Sequence, residues 1–102
     1  MEGMSALLGD DAIEQGLAAL AGWQRDGQSV VRTVELNDFP QAVHVVDQVA
    51  EIAEQANHHP DIDIRWRTLT FRCSTHSEGG ITQADLTLAG EINRLVDAAL
   101  AG

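Results

Sequence analysis

Hydrophobic residues recur every three or four positions in three stretches of the chain, which is the spacing of amphipathic helices. The first helix is predicted to begin at the capping box Asp11–Glu14 and to end at Gly22. The second is predicted to begin at Asp38, with Pro40 in its first turn, where a missing N–H is harmless. The third is predicted to begin at the capping box Thr82–Asp85. The predicted buried stripes are Ile13, Leu17 and Leu20; then Phe39, Ala42, Val43, Val46, Val49, Ala50, Ala53 and Ala56; and finally Leu88, Ala89, Ile92, Leu95, Val96 and Ala99.

Two other stretches alternate between hydrophobic and polar residues, which is the period of a β-strand. Residues 29–36 are rich in Val and Thr, and the dipeptide Asp26-Gly27 favours a tight turn that pairs them with a short extended piece after Trp23. Further on, hydrophobic residues occupy alternate positions in two consecutive sets, and the second set is out of phase with the first by one position. The first set is Ile62, Ile64 and Trp66, and the second is Leu69, Phe71 and Cys73. Either a bulge near Arg67 or a boundary between two strands would explain the offset. The order of helices and strands predicts an α+β sandwich with an antiparallel sheet.

The composition favours a single folded domain spanning residues 1–102, because 44% of the residues are hydrophobic. A formal net charge of −10 repels phosphate backbones, so direct nucleic-acid binding is disfavoured. No apolar run has the length of a membrane span, and Met1–Met4 lacks the positive start of a signal peptide. The single cysteine, Cys73, has no partner for an internal disulfide. A cytoplasmic protein without membrane association is therefore expected.

Three of the four histidines lie between positions 54 and 85, and two of them are adjacent. His58 and His59 follow the second helix, and Pro60 directs the chain out of the helix after them. His76 is predicted to end the last strand. Imidazoles titrate near neutral pH and can serve as both acid and base, so their convergence at one sheet edge would make a proton-transfer site.

Two other interpretations of the histidines remain open on spacing alone. Zinc accepts His ligands readily, but its usual helical spacing is His-x-x-x-His rather than an adjacent pair. A protonated histidine at a helix C-terminus is stabilised by the helix dipole, which would explain His58 but not His76. Glu54 is either a surface charge or a partner that orients His58, and Asp85 is expected to serve the helix cap before any site role.

Several other residues are expected to have structural roles. Trp23 and Trp66 are each predicted to lie in the core or at the wall of a pocket. Cys73 is expected to pack as a small hydrophobic side chain on a strand. His44, which lies outside the predicted stripe of the second helix, is expected to be solvated.

The pattern of residue types and spacings in the histidine region resembles the pterin-4a-carbinolamine dehydratase family, whose mammalian members are also called dimerization cofactors of a homeodomain transcription factor. The resemblance rests on the pattern Glu54-x3-His58-His59-Pro60-x5-Trp66-x9-His76-x8-Asp85. Further likeness occurs at Leu20–Trp23, at Asp38–Ala42 and at Thr82–Ala89, so nearly the whole chain is covered. The resemblance implies a four-stranded antiparallel sheet with three helices packed on one face, in the order α-β-β-α-β-β-α.

The same resemblance implies that the protein removes water from a 4a-hydroxytetrahydropterin to give the quinonoid dihydropterin. No metal and no organic cofactor is implied, because the pterin is the substrate. The implied catalytic residues are His58, His59 and His76, with His58 and His76 as the acid–base pair and His59 binding or assisting. The implied substrate-binding residues are Trp23, Glu54, Asn57, Pro60, Thr75 and Asp85. Asn57 stands where mammalian members have an acid, and an amide can still form hydrogen bonds there.

The resemblance also implies a homodimer or a homotetramer. Some relatives of the family act as binding or assembly proteins, either as a dimerization cofactor for a transcription factor or as a Rubisco assembly chaperone. A non-catalytic protein of the same fold is therefore the alternative function. The complete set of three histidines favours the enzyme, because a scaffold has no chemical need for them.

Overall fold

Three helices cover one face of a four-stranded antiparallel sheet in the computed structural model, which describes residues 6–102. The elements are α1 (Asp10–Ala18), β1 (Gln24–Asp26), β2 (Ser29–Glu35), α2 (Phe39–Ala56), β3 (Asp61–Arg65), β4 (Thr68–Cys73) and α3 (Gln83–Ala101). The strand order is β1-β2-β4-β3. The predicted α+β class and element order are confirmed. The interpretation of Met1–Met4 as lacking a signal peptide falls outside the described residues.

Both hairpins of the sheet have two-residue turns. The first turn is Gly27-Gln28, one position after the predicted Asp26-Gly27, because Asp26 pairs with Ser29 in the sheet. Gly27 supplies the positive φ, 62°, that the tight turn requires. The second lies between Arg65 and Thr68, so the offset in the hydrophobic pattern marks a boundary between two strands, and the bulge alternative is wrong. Trp66 occupies this second turn with φ 56° and is 70% exposed, so its expected place in the core or a pocket wall is also wrong.

The core is centred on β4, whose inward-facing side chains Leu69, Phe71 and Cys73 are fully buried against all three helices. The stripe of α3 is confirmed, with Leu88, Ala89, Ile92 and Val96 buried and Leu95 and Ala99 partly buried. The stripe of α2 is only partly right: Ala42, Val49 and Ala53 are buried as predicted, and Val45 is buried although it lies outside the predicted stripe. The predicted stripe residues Phe39, Val43, Ala50 and Ala56 are exposed. α2 carries more apolar residues than the core covers, and only the packing selects which of them are buried.

The predicted N-terminal cap is wrong for α1 and right for α2. The capping box at Asp11 is wrong, because α1 begins at Asp10 after Gly9 with no side-chain cap. It ends at Ala18, well before Gly22, which lies in the following turn. For α2 the prediction is confirmed: the Asp38 carboxylate accepts the N–H of Gln41 at 2.8 Å. Within residues 6–102, no helix combines the length and the apolar character that crossing a bilayer requires.

Candidate active site

The C-terminal end of α2 determines where the histidine pair emerges. Asn57 adopts the left-handed conformation, with φ 52° and ψ 43°, and its N–H donates to the carbonyl of Glu54. The N–H of His58 reaches back to the carbonyl of Ala53 at 3.1 Å, which completes a Schellman motif. Asn is among the few residues that tolerate this conformation, in which other side chains cost about 1–2 kcal/mol. Exposed Asn57 therefore has a structural reason to be an amide, and half-buried Pro60 then directs the chain into β3.

His58 lies against a fully buried carboxylate. Its Nε2 is 2.5 Å from Oδ1 of Asp85, and its side chain is only 17% exposed. The other carboxylate oxygen, Oδ2, accepts the backbone N–H of Thr82 at 2.9 Å and the hydroxyl of Thr75 at 2.8 Å. Asp85 thus serves the capping box of α3 as predicted, and the same side chain also holds His58.

The loop between β4 and α3 places His76 next to this cluster. The backbone of Thr75 exchanges hydrogen bonds with Gly80, which closes the loop, and Gly79 makes the turn with φ 75°. The hydroxyl of Thr75 lies 2.8 Å from that of Thr82. His76, the residue after Thr75, is exposed and begins a short 3-10 helix rather than ending a strand. One carboxylate therefore joins His58 to the residue that precedes His76.

The predicted orienting contact of Glu54 goes to a different histidine. Its Oε2 lies 2.6 Å from Nε2 of His59, and the two side chains are 78% and 53% exposed. The predicted contact with His58 assumed that helical i, i+4 geometry continues through residue 58. The helix ends at Ala56 instead, so His58 turns away toward α3 and His59 meets Glu54.

Trp23 lies in the core, apart from the histidine cluster. It is nearly buried, and its indole N–H donates to Oδ1 of Asn93 at 2.7 Å. Asn93 is about two helical turns, or roughly 12 Å, beyond Asp85 along α3. The same amide oxygen accepts from Arg32 at 2.5 Å, and the Asn93 side chain donates to the carbonyl of Ala21. Trp23 is thus held in the core by its hydrogen bond to α3, and the substrate-binding role that the resemblance implies for it stays a prediction.

A cavity of about 160 Å³ adjoins one side of His58, between the end of α2 and the start of α3. Its wall is mostly apolar and consists of Ile52, Ala56, His58, Gln83, Ala84, Thr87, Leu88 and Glu91. His59 and His76 do not line it, so the three imidazoles are not gathered around this enclosed space. Nothing in the sequence indicated this cavity, because most of its wall comes from residues of α2 and α3 that belong to no recognisable motif.

The arrangement of the histidines does not favour the zinc alternative. In the part of the chain that the structure describes, no group of three or more His, Cys, Asp or Glu side chains is placed to hold a metal ion. Nε2 of His58 and Nε2 of His59 each face a separate carboxylate. Such carboxylate–imidazole pairs orient a ring for proton transfer, and they leave the other ring nitrogen, Nδ1, for a substrate.

Cys73 lies close enough to Asp85 for the carboxylate charge to affect its thiol, which is held in the protonated form. It is fully buried on β4, as expected for a small hydrophobic side chain. Burial raises the pKa of its thiol to about 12, with further contributions from the negative charges of Asp85 and Asp61. Because the thiolate is the nucleophilic form, the raised pKa and the burial of Cys73 disfavour it as a nucleophile.

A family model and two similar named proteins all point to the same family. Residues 6–95 match the family described as pterin 4 alpha carbinolamine dehydratase. A protein of Nocardia farcinica (strain IFM 10152), provisionally named pterin-4-alpha-carbinolamine dehydratase, is 54% identical over 89 residues, which cover 87% of this chain and 94% of that protein. One with the same provisional name from Roseiflexus castenholzii (strain DSM 13941 / HLO8) is 48% identical over 93 residues, covering 91% of this chain and 100% of the relative.

Two solved structures share the fold. The transcriptional coactivator/pterin dehydratase from Brucella melitensis superposes with a TM-score of 0.87 at 29% identity, covering 89% of this chain and 99% of that one. A pterin dehydratase-like protein identified as a RuBisCO assembly factor in the alpha-carboxysome gives a TM-score of 0.60 at 16% identity, covering 72% and 86%. At that identity the second likeness concerns the fold alone.

Proposed function

This chain belongs to the pterin 4 alpha carbinolamine dehydratase family, and we propose on that premise that it dehydrates a 4a-hydroxytetrahydropterin by histidine acid–base catalysis. The observation that carries the proposal is the contact between His58 and buried Asp85, which also holds Thr75 beside His76. Loss of water requires one group to protonate the departing 4a-hydroxyl and another to accept a proton from a ring nitrogen. Oriented imidazoles supply both functions near neutral pH.

In this proposal His58 and His76 form the acid–base pair. His58 is mostly covered and contacts Asp85, whereas His76 is exposed on the loop that follows β4. His59, with Glu54, assists at the exposed edge, where Asn57 and Pro60 also lie. The reaction uses no metal and no organic cofactor, since the chain's own groups provide every proton transfer. The proposal places this chemistry in the cytoplasm, consistent with a single cysteine packed in the core.

Direct assay of the purified protein tests the function. A 4a-hydroxytetrahydropterin generated in the cuvette dehydrates slowly in buffer, and the quinonoid product can be followed by its absorbance. We expect the protein to accelerate this step in proportion to its concentration and to keep its rate in the presence of a metal chelator. A rate equal to that of buffer would overturn the proposal, and a rate abolished by the chelator would return the zinc alternative.

The rival is a binding or assembly protein that keeps the fold without using the site. The Brucella protein is described as a transcriptional coactivator/pterin dehydratase, and the carboxysome protein as a pterin dehydratase-like RuBisCO assembly factor. The enzyme is favoured here because the buried carboxylate–imidazole contact has no purpose in a scaffold. A stoichiometric partner recovered by pull-down, with binding unchanged by His58→Ala, together with no dehydratase rate, would favour the rival.

Self-association is part of the proposal, and α2 supplies the surface. Phe39, Val43 and Ala50 are exposed and Val46 is half-buried, at successive spacings of four, three and four residues, as in a coiled-coil seam. We expect the protein to form a dimer or tetramer and Val43→Asp to lower the mass measured by light scattering. His44→Asp, which adds the same charge at an exposed position off the stripe, should leave the mass unchanged. A monomeric wild-type protein at micromolar concentration would contradict this.

A further inference from the structure

We infer that Asp85 is a positioning residue that fixes the tautomer of His58, so that Nδ1 is the ring atom that exchanges a proton with the substrate. The inference deepens the proposed function and rests on it for the catalytic consequence. Its structural part, the tautomer itself, can be observed without any substrate. An experiment can therefore reject the tautomer assignment without rejecting the proposed function, or the proposed function without rejecting the tautomer assignment.

The hydroxyl hydrogens around Asp85 are all committed by a buried chain of hydrogen bonds. Thr75 donates its single hydroxyl hydrogen to Oδ2 of Asp85. In the 2.8 Å contact between the two threonine hydroxyls, Thr82 must then be the donor. The N–H of Ala84 donates in turn to the hydroxyl oxygen of Thr82. Oδ2 also accepts the backbone N–H of Thr82, so this oxygen has two donors, and Oδ1 is the oxygen that contacts His58.

The remaining oxygen, Oδ1, determines the state of the imidazole. An ionised carboxylate only accepts hydrogen bonds, so Nε2 of His58 at 2.5 Å must carry the hydrogen. A neutral imidazole has one N–H, and Nδ1 is therefore left with its lone pair. Among residues 6–102, Arg67 Nε is the single buried side-chain polar atom without a partner. Nδ1 of His58 has no hydrogen bond in this part of the chain and is thus open to solvent, where a substrate can reach it.

The His59–Glu54 contact has nearly the same length but not the same effect. Both of its side chains are more than half exposed, so water competes for the carboxylate and for the ring. Asp85 is fully buried and His58 is mostly covered. Burial is therefore what makes one imidazole a defined base while its neighbour remains adaptable.

Asp85→Asn is an unusually sharp test, because the helix cap orients the new amide. The backbone N–H of Thr82 cannot change from donor to acceptor, so the amide oxygen of the variant must stay on that side. The amide NH₂ then faces Nε2 of His58 and requires a lone pair there. The variant keeps the cap but moves the imidazole hydrogen to Nδ1. In a Ser-His-Asp triad, the corresponding change lowers kcat by about 10⁴-fold through the wrong tautomer.

The experiment is ¹⁵N NMR of the histidine side chains at a pH where His58 is neutral, without substrate. We expect wild-type His58 to show protonated Nε2 and unprotonated Nδ1, and Asp85→Asn to show the reverse. Glu54→Gln should leave the His58 pattern unchanged. A wild-type His58 with protonated Nδ1, or with two rapidly averaged tautomers, would overturn the inference, and this spectrum decides the matter even if the variant fails to fold.

Steady-state kinetics of Asp85→Asn test whether the tautomer of His58 matters for catalysis. For folded Asp85→Asn we expect kcat to fall by about 10²-fold or more with KM changed little, since the substrate still meets the same surface. An unchanged kcat, with the tautomer reversed, would show that Nδ1 is not the reacting atom and would overturn that part. If wild-type protein has the expected tautomer but no dehydratase rate, the proposed function fails while the assignment of the tautomer stands.

Discussion

Replacing His58 or His76 by alanine is expected to lower kcat for dehydration by roughly 10²–10⁴-fold in each case, the contribution of one positioned acid or base. His58→Ala removes the ring that Asp85 holds at 2.5 Å. His76→Ala removes an exposed side chain that makes no buried contact, so its fold should be unaffected. Steady-state kinetics on both variants, with circular dichroism to confirm folding, provide the measurement. Loss in kcat with KM nearly constant is the expected signature of lost proton transfer.

His44→Ala is the matched control for these two variants. His44 is exposed on α2, outside the histidine cluster, and its removal deletes an imidazole without touching the site. Its kcat should equal that of the wild-type protein. Should His76→Ala also keep the wild-type kcat, His76 would lose its place in the acid–base pair. Retention of full activity by both site variants would reject histidine catalysis altogether.

Raising the pH from 9 toward 12 is expected to weaken the fold through Cys73 alone. Burial and nearby carboxylates raise the pKa of this thiol to about 12 in the folded protein, against an ordinary value of 9.0. The folded state then keeps a proton that the unfolded chain releases, so this stabilisation is complete below pH 9 and is lost as pH rises toward 12. Each pH unit in this window lowers the free energy of unfolding by up to about 1.4 kcal/mol. By pH 11 the loss reaches at most roughly 2–3 kcal/mol.

The composition makes this effect unusually easy to isolate. The chain has no Tyr and no Lys, and all six of its basic residues are Arg, which stays charged throughout this range. Urea unfolding at pH 8, 9, 10 and 11 should show a falling free energy of unfolding for the wild-type protein. Cys73→Ala should be less stable at pH 8, because it leaves a small cavity, but nearly independent of pH. Parallel pH profiles for the two proteins would contradict the role assigned to the thiol.

The local signals of the chain predicted most of the secondary structure. Asp38 begins α2, Thr82 and Asp85 cap α3, and Gly27 makes the first hairpin turn. Each of these features depends on residues within four positions of one another, so its formation depends little on distant contacts. The predicted α1 cap is wrong because Asp11 lies two residues after the observed N-cap, Gly9, inside the first turn of the helix.

The candidate site was predicted less completely. Sequence spacing singled out the histidines and Asp85, and the structure joins His58 to Asp85 across 27 positions of the chain. Spacing could not show that Glu54 meets His59, because that contact depends on the left-handed residue that ends α2. Sequence spacing also could not distinguish buried Trp23 from exposed Trp66, because both are large aromatic residues next to the end of a strand.

By itself, then, the sequence determined the elements, their order and the residue types available for chemistry, because backbone hydrogen bonding and hydrophobic period are local properties. Only the tertiary structure decided which apolar stripe of α2 is covered and which carboxylate faces which imidazole. Those choices depend on burial, and burial is set by segments far apart in the chain. A buried carboxylate can hold one ring in a single state, whereas an exposed one shares its partner with water.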